Sequence, residues 1–133
     1  MKIYISGKIG EEVISEATRQ KFARAEKMLK AKGFDVFNPT SEEWQDFLTK
    51  NWSAAAPLAV MDKYSYILLK DMMKLAKCDA VYFLEDWDFS PGAEAENAFA
   101  VAIGKKLLWQ RLEDAQVFRD EKETPEDVWM PIE

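Results

Sequence analysis

Short apolar runs alternate along this chain with longer stretches in which apolar residues return every three or four positions. Ala80-Val81-Tyr82-Phe83-Leu84 is apolar throughout, as expected of a strand buried on both faces. Lys2 to Ser6 (KIYIS), Asp35-Val36-Phe37 and Lys106 to Trp109 are three further short β-prone runs. Between the first two lies a helical pattern from Glu11 to Lys32, with Val13, Ala17, Phe22, Ala25 and Leu29 on its apolar side and Lys32-Gly33 as its stop.

Thr40 or Ser41 caps a helix over roughly Glu42 to Lys50, and Asn51 to Pro57 reads as a connection. The next helix ends near Lys77, with Leu68, Met72, Leu75 and Ala76 as its core-facing stripe and Asp71 at the stripe's boundary. Ser90 then suits an N-cap and Pro91 the first helical position, where its missing N–H costs nothing. Gly104 ends that helix. Strands alternating with helices predict a parallel α/β sheet covered on both faces, in one domain over residues 1–110. Residues 111–133 form a charged C-terminal arm with Phe118, Val128, Trp129, Met130 and Ile132 as apolar anchors, packing on the domain or on a neighbouring subunit.

Composition narrows the chemistry. A chain of 133 residues supports a core without disulfides, and Cys78 is its single cysteine, expected to be a buried, inert thiol. There is no histidine, so acid–base work falls to carboxylates, tyrosines or lysines. A net charge of −6 argues against a nucleic-acid polymer as partner. No apolar run has transmembrane length, and MKIYISGKIG lacks the apolar region of a signal peptide, which makes the cytoplasm the expected compartment.

Two strand ends carry the candidate chemistry. The first strand runs straight into Gly7-Lys8-Ile9-Gly10, the kind of corner at which backbone N–H groups meet a ligand, making Ser6, Gly7 and Lys8 candidate contacts. After the central strand come Glu85, Asp86 and Asp88, a solvated loop or, less favoured, a Mg²⁺ site. Trp87 either stacks on a flat ligand or roofs the core. Glu94 and Glu96 fall in the first turns of the following helix, where the helix dipole favours a carboxylate, and a carboxylate beyond a parallel strand's C-terminal end stands where such sheets bind ligands.

Taken together, IYISG at Ile3 to Gly7, KDMMKLAKCDAVYFL at Lys70 to Leu84 and SPGAEAE at Ser90 to Glu96 resemble the nucleoside 2-deoxyribosyltransferase superfamily, in particular its DUF4406 branch. The 2′-deoxynucleoside 5′-phosphate N-hydrolases are relatives in that superfamily. The likeness spans roughly Met1 to Leu108. It implies Glu96 as nucleophile, Asp71 as the carboxylate that assists departure of the base, and Tyr4 as the residue that orients the nucleophile. Ser90 and Gly92 match the loop with which the hydrolases cradle a 5′-phosphate. Those hydrolases carry arginine after the first strand, whereas this chain has Ile9-Gly10-Glu11-Glu12, whose acidic pair would repel a phosphate. Pattern and resemblance together predict a flavodoxin-like three-layer α/β/α sandwich with a parallel sheet of four or five strands in the order 2-1-3-4.

The activity implied is cleavage or transfer at the N-glycosidic bond of a nucleoside or nucleotide, through a covalent glycosyl–enzyme and without metal or organic cofactor. The rival expectation is a non-catalytic module that binds a nucleotide-like ligand in the same pocket. A metal-dependent phosphatase built on Glu85, Asp86 and Asp88 is a distant third. Trp52, Trp109 and Trp129, with Phe118 and Met130, are many large apolar side chains for connecting and terminal segments, and suggest a homodimer.

Overall fold

The computed structural model describes residues 1–10, 13–55 and 62–132. Its strands are β1 (Lys2–Ser6), β2 (Asp35–Phe37), β3 (Ala80–Phe83) and β4 (Lys106–Trp109). They form one four-stranded sheet, all parallel, in the order β2-β1-β3-β4. The helices are α1 (Glu16–Ala31), α2 (Glu42–Ala55), α3 (Lys63–Ala76), α4 (Pro91–Ala102), α5 (Leu112–Val117) and α6 (Pro125–Val128). This is the α/β architecture and strand order expected from the pattern of apolar runs and the family resemblance together.

The central strands are buried on both faces. Ile3, Tyr4, Ile5 and Ser6 of β1 and every residue of β3 are inaccessible, and Ser6 pairs with Phe83 at their C-terminal ends. Because β1 sends its connection to β2 on one side while β3 stands on the other, the chain leaves a crevice above these two strand ends. The loop after β1 is fastened there. Leu84 N–H donates to the Ser6 carbonyl at 2.8 Å, and Lys8 N–H donates to Asp86 Oδ1 at 3.0 Å. Gly7 packs so tightly that a Cβ would come within 2.7 Å of Leu84 Cδ1, which gives this glycine a packing reason of its own.

Two helix boundaries and one buried stripe differ from the sequence expectation. Helix α1 begins at Glu16, because the Ser15 hydroxyl caps it by accepting the Thr18 N–H. Val13 precedes the helix and is 82 % exposed, Ala17 is exposed too, and the buried stripe is Phe22, Ala25 and Leu29. Helix α2 continues through Asn51 to Ala55, where a connection was expected, and Trp52 packs its ring against Tyr66 of α3 at 5.4 Å. On α3 the buried residues are Tyr66, Asp71 and Leu75, whereas Ala76 is exposed.

The C-terminal segment lies against its own sheet. Trp129 pairs in parallel with Trp109 through an isolated bridge, so the sheet itself stops at four strands. Met130 N–H donates to the Trp109 carbonyl at 2.8 Å, and Tyr82 Oη donates to the Met130 carbonyl at 2.5 Å. Val128 is fully buried. Among the described residues no helix is long and apolar enough to cross a membrane.

Candidate active site

Glu96 reaches the crevice from α4. Ser90 caps that helix by accepting the Ala93 N–H at 3.2 Å, and Pro91 occupies its first turn. The face it turns inward carries Ala93, Glu96 and Ala100, so two small side chains let the helix approach the sheet closely around one carboxylate. Tyr4 and Ser6, two positions apart on β1 and therefore on one face, meet it. Tyr4 Oη donates to Glu96 Oε2 at 2.5 Å, and Ser6 Oγ donates to Oε1 at 2.9 Å.

Asp71 comes from α3 and is also buried. Its Oδ1 accepts the indole N–H of Trp44, from α2, at 2.8 Å. Asp71 and Glu96 line one cavity of about 440 Å³, together with Gly7 and Gly10 from the β1 loop and Ser90 and Gly92 at the start of α4. Ile14, Leu48, Ile67 and Leu68 give it apolar walls, and Gln45, Thr49, Lys63 and Tyr64 add polar ones. The two carboxylates thus face the same space.

Burial governs their charge. Desolvation pushes Asp71 up to about 7, with the Trp44 hydrogen bond pulling the other way. Glu96 is pushed up to about 8, first by desolvation and then by the neighbouring Asp71 charge, against the bonds from Tyr4 and Ser6. Burial also holds the Tyr4 phenol well above its ordinary value, so it remains a donor. Near neutral pH this pair gains or loses one proton readily. A site with one carboxyl and one carboxylate is equipped for both proton donation and nucleophilic attack.

The residues singled out from the sequence divide into three groups. Tyr4, Ser6, Asp71 and Glu96 meet at the carboxylate pair, and Gly7, Ser90 and Gly92 line the cavity. Lys8 lies outside the cavity wall, its backbone engaged by Asp86 and by Lys21 Nζ. Trp87 roofs the core, buried between Phe83, Trp109 and Phe118, with its indole N–H on Asp114 at 3.1 Å. Two members of the acidic run are partnered by the chain's own cations: Asp86 pairs with Lys21 and Asp88 with Arg111. Among the described residues no three His, Cys, Asp or Glu side chains are grouped as metal ligands. Glu11 and Glu12 lie outside the described residues.

Sequence reasoning missed the wall contributed by α2 and the start of α3, above all Gln45 and Tyr64, and the Trp44 indole that holds Asp71 from behind it. These helices carried a readable apolar pattern, but nothing in it told which polar atoms would turn toward the β1 loop. Cys78 is buried, with its thiol pushed up by desolvation and donating to the Lys74 carbonyl.

A parallel sheet in this order, flanked by helices, is a fold this chain shares with a solved 2-deoxyribosyltransferase. A solved structure of a 2-deoxyribosyltransferase from the psychrotolerant bacterium Bacillus psychrosaccharolyticus superimposes with a TM-score of 0.53 at 16% sequence identity, covering 100% of this chain and 99% of that one. Residues 1–109 match the model of the domain of unknown function DUF4406, and the chain belongs to that family. No curated protein matches it.

Proposed function

We propose that the chain cleaves or exchanges the N-glycosidic bond of a nucleoside or nucleotide. The observation that carries this reading is the carboxylate pair: Glu96, gripped by two hydroxyls, and Asp71, held by an indole, facing one cavity. A volume of about 440 Å³ suits a ligand of nucleoside size, and its walls mix apolar surface with a few polar groups. The attack runs from the arrangement of the shared proton in which Glu96 is ionised and Asp71 is the acid: Glu96 attacks C1′ of the sugar as the bond to the base breaks. The bond's electron pair stays with the base, and the proton of Asp71 joins it there. The glycosyl ester on Glu96 is then opened by water or by the nitrogen of a second base, and either one gives up its proton to Asp71 as the bond to C1′ forms. Tyr4 and Ser6 keep the Glu96 oxygens in place throughout.

The decisive experiment incubates the protein with a panel of deoxynucleosides and deoxynucleotides and follows free base by chromatography. Base released by the parent protein and lost in Glu96→Ala supports the reading; no release by either removes it.

A second reading, a binding module without turnover, draws support from Glu96 itself. A carboxyl pushed up to about 8 is largely protonated at neutral pH in the free protein, and a protonated carboxyl is a poor nucleophile. Thermal shift against the same panel separates the two, since binding stabilises the folded chain with or without chemistry. The proposal includes a homodimer, and a single unpaired cysteine fits a cytoplasmic protein.

A further inference from the structure

We propose that Trp44 is a positioning residue for the acid: its indole fixes which oxygen of Asp71 carries the proton and aims that proton into the cavity. This rests on the glycosidic reading above and deepens it.

An indole nitrogen has a hydrogen to give and no lone pair to offer. The oxygen it meets must therefore accept, and that oxygen is Asp71 Oδ1, 2.8 Å away. Among the described residues Trp44 is the group that hydrogen-bonds the Asp71 carboxyl, so Oδ2 remains for a ligand in the cavity that Asp71 lines. When Asp71 is protonated, the proton belongs on Oδ2, because placing it on Oδ1 would set a hydroxyl against the N–H. A buried carboxylic acid without such a partner could carry its proton on either oxygen, and half of those arrangements would point away from the ligand.

The indole is itself held rigidly. Trp44 stands in the first turn of α2, where its backbone N–H donates to the capping Ser41 hydroxyl at 3.3 Å. Its ring is stacked on Phe47 at 5.1 Å and meets Phe37 edge-on at 5.3 Å. Lys74 Nζ sits over the same ring at 5.1 Å, and a cation on that face makes the N–H a stronger donor. Phe37 in turn stacks on Tyr4 at 5.6 Å, so the donors to the two carboxylates share one aromatic wall.

The step balances simply. As the bond from C1′ to the base nitrogen breaks, its electron pair remains on the base, the proton on Oδ2 joins that nitrogen, and Asp71 becomes a carboxylate. The new negative charge spreads onto Oδ1, where the Trp44 N–H already waits. That hydrogen bond strengthens as charge develops, which favours the transition state over the bound substrate.

The test is by NMR on the full chain without ligand. The ionisable groups around Asp71 are Tyr4 on β1, Glu96 on α4, Lys63 at the start of α3 and Lys74 above the indole, and all four are kept unchanged. In the parent protein the Trp44 indole N–H resonance should titrate with the Asp71 carboxyl carbon, and Asp71→Asn should abolish that titration. In Trp44→Phe, which keeps a ring in the aromatic wall, the Asp71 midpoint should rise by about one pH unit, since the acceptor of a charge-assisted bond has lost its donor. An indole resonance that ignores Asp71, or an Asp71 midpoint unmoved in Trp44→Phe, overturns the proposal; the first measurement needs no variant that might misfold.

In turnover, Trp44→Phe should lower kcat about tenfold with KM little changed for a natural base, and leave a p-nitrophenolate leaving group, which needs no proton, nearly unaffected. Equal losses on both leaving groups would also overturn it. A chain that releases no base removes the glycosidic reading, while the two titrations still stand or fall on their own.

Discussion

Tyr4 and Glu96 lie 92 positions apart in the chain, yet the phenol of the first donates to the carboxylate of the second at 2.5 Å inside the fold. The bond joins the middle of the sheet to the helix that follows β3. Tyr4→Phe keeps the stack on Phe37 but leaves Glu96 with Ser6 as its remaining donor. That bond favours the ionised carboxyl, so the Glu96 midpoint should move above its present value of about 8. Base release at neutral pH should fall roughly tenfold or more, with part of the loss recovered at higher pH. A pH–rate profile of the two proteins checks this: the ascending limb must move to higher pH.

Stability should fall as pH rises. Asp71 and Glu96 are raised in the folded chain to about 7 and about 8, from unfolded values near 4. Between those limits the folded state holds protons that the unfolded chain has released. The stabilising contribution is therefore complete below about pH 4, is lost progressively as pH climbs through 7 and 8, and then levels off. Urea unfolding from pH 5 to pH 9 should show this decline, on the order of a few kcal/mol. Glu96→Gln, which cannot ionise, should flatten it.

Asp114 should matter for folding and not for the cavity. Its carboxylate accepts the Trp87 indole N–H and two bonds from Arg111, one from Nε and one from Nη2, each at 2.9 Å. Asp114→Ala strands a buried indole N–H and leaves Arg111 with Asp88 as its remaining carboxylate partner, at a cost of about 1–3 kcal/mol. Chemical denaturation measures that loss. Ligand-induced thermal stabilisation, or turnover per folded molecule, should remain as in the parent.

The aromatic residues that suggested a homodimer are mostly engaged within the chain. Trp109 is fully buried, Trp52 packs on Tyr66, and Trp129 gives its indole N–H to the Gln110 carbonyl. Support for a dimer comes instead from Leu69 and Met73, one turn apart and half exposed on α3, with Phe89 and Val101 exposed around the neighbouring α4. Sedimentation should show a species twice the 15.4 kDa chain mass, shifted toward monomer by Leu69→Lys with Met73→Lys. A single 15.4 kDa species at micromolar concentration removes the dimer.

The sheet was legible because its two central strands are short, mostly apolar runs whose burial on both faces leaves few arrangements. Helix ends were less so. The apolar spacing that begins at Val13 competes with the cap at Ser15, and the cap decides where α1 starts. Asn51 is a weak helix former, and α2 runs past it where Trp52 meets Tyr66, a contact that spacing does not show. Spacing alone put Asp71 at the boundary of its helix's apolar stripe, and only the resemblance singled it out, because its partner, Trp44, is 27 positions away on another helix. For Trp87 two outcomes were open, and the deciding partner, Asp114, is equally distant in sequence.

The short pairing of Trp129 with Trp109 bears on solubility at high concentration. An open sheet ends in two rows of unsatisfied backbone groups that invite another chain to add on. On the β4 side, the returning C-terminal segment occupies part of that row with the Met130 N–H and lays Trp129 over it. On the other side, β2 offers a border just three residues long and begins with Asp35. Neither border is long enough to template growth, so shortening the chain before Trp129 would do more than lower stability: it would uncover β4 and open a route to ordered aggregates.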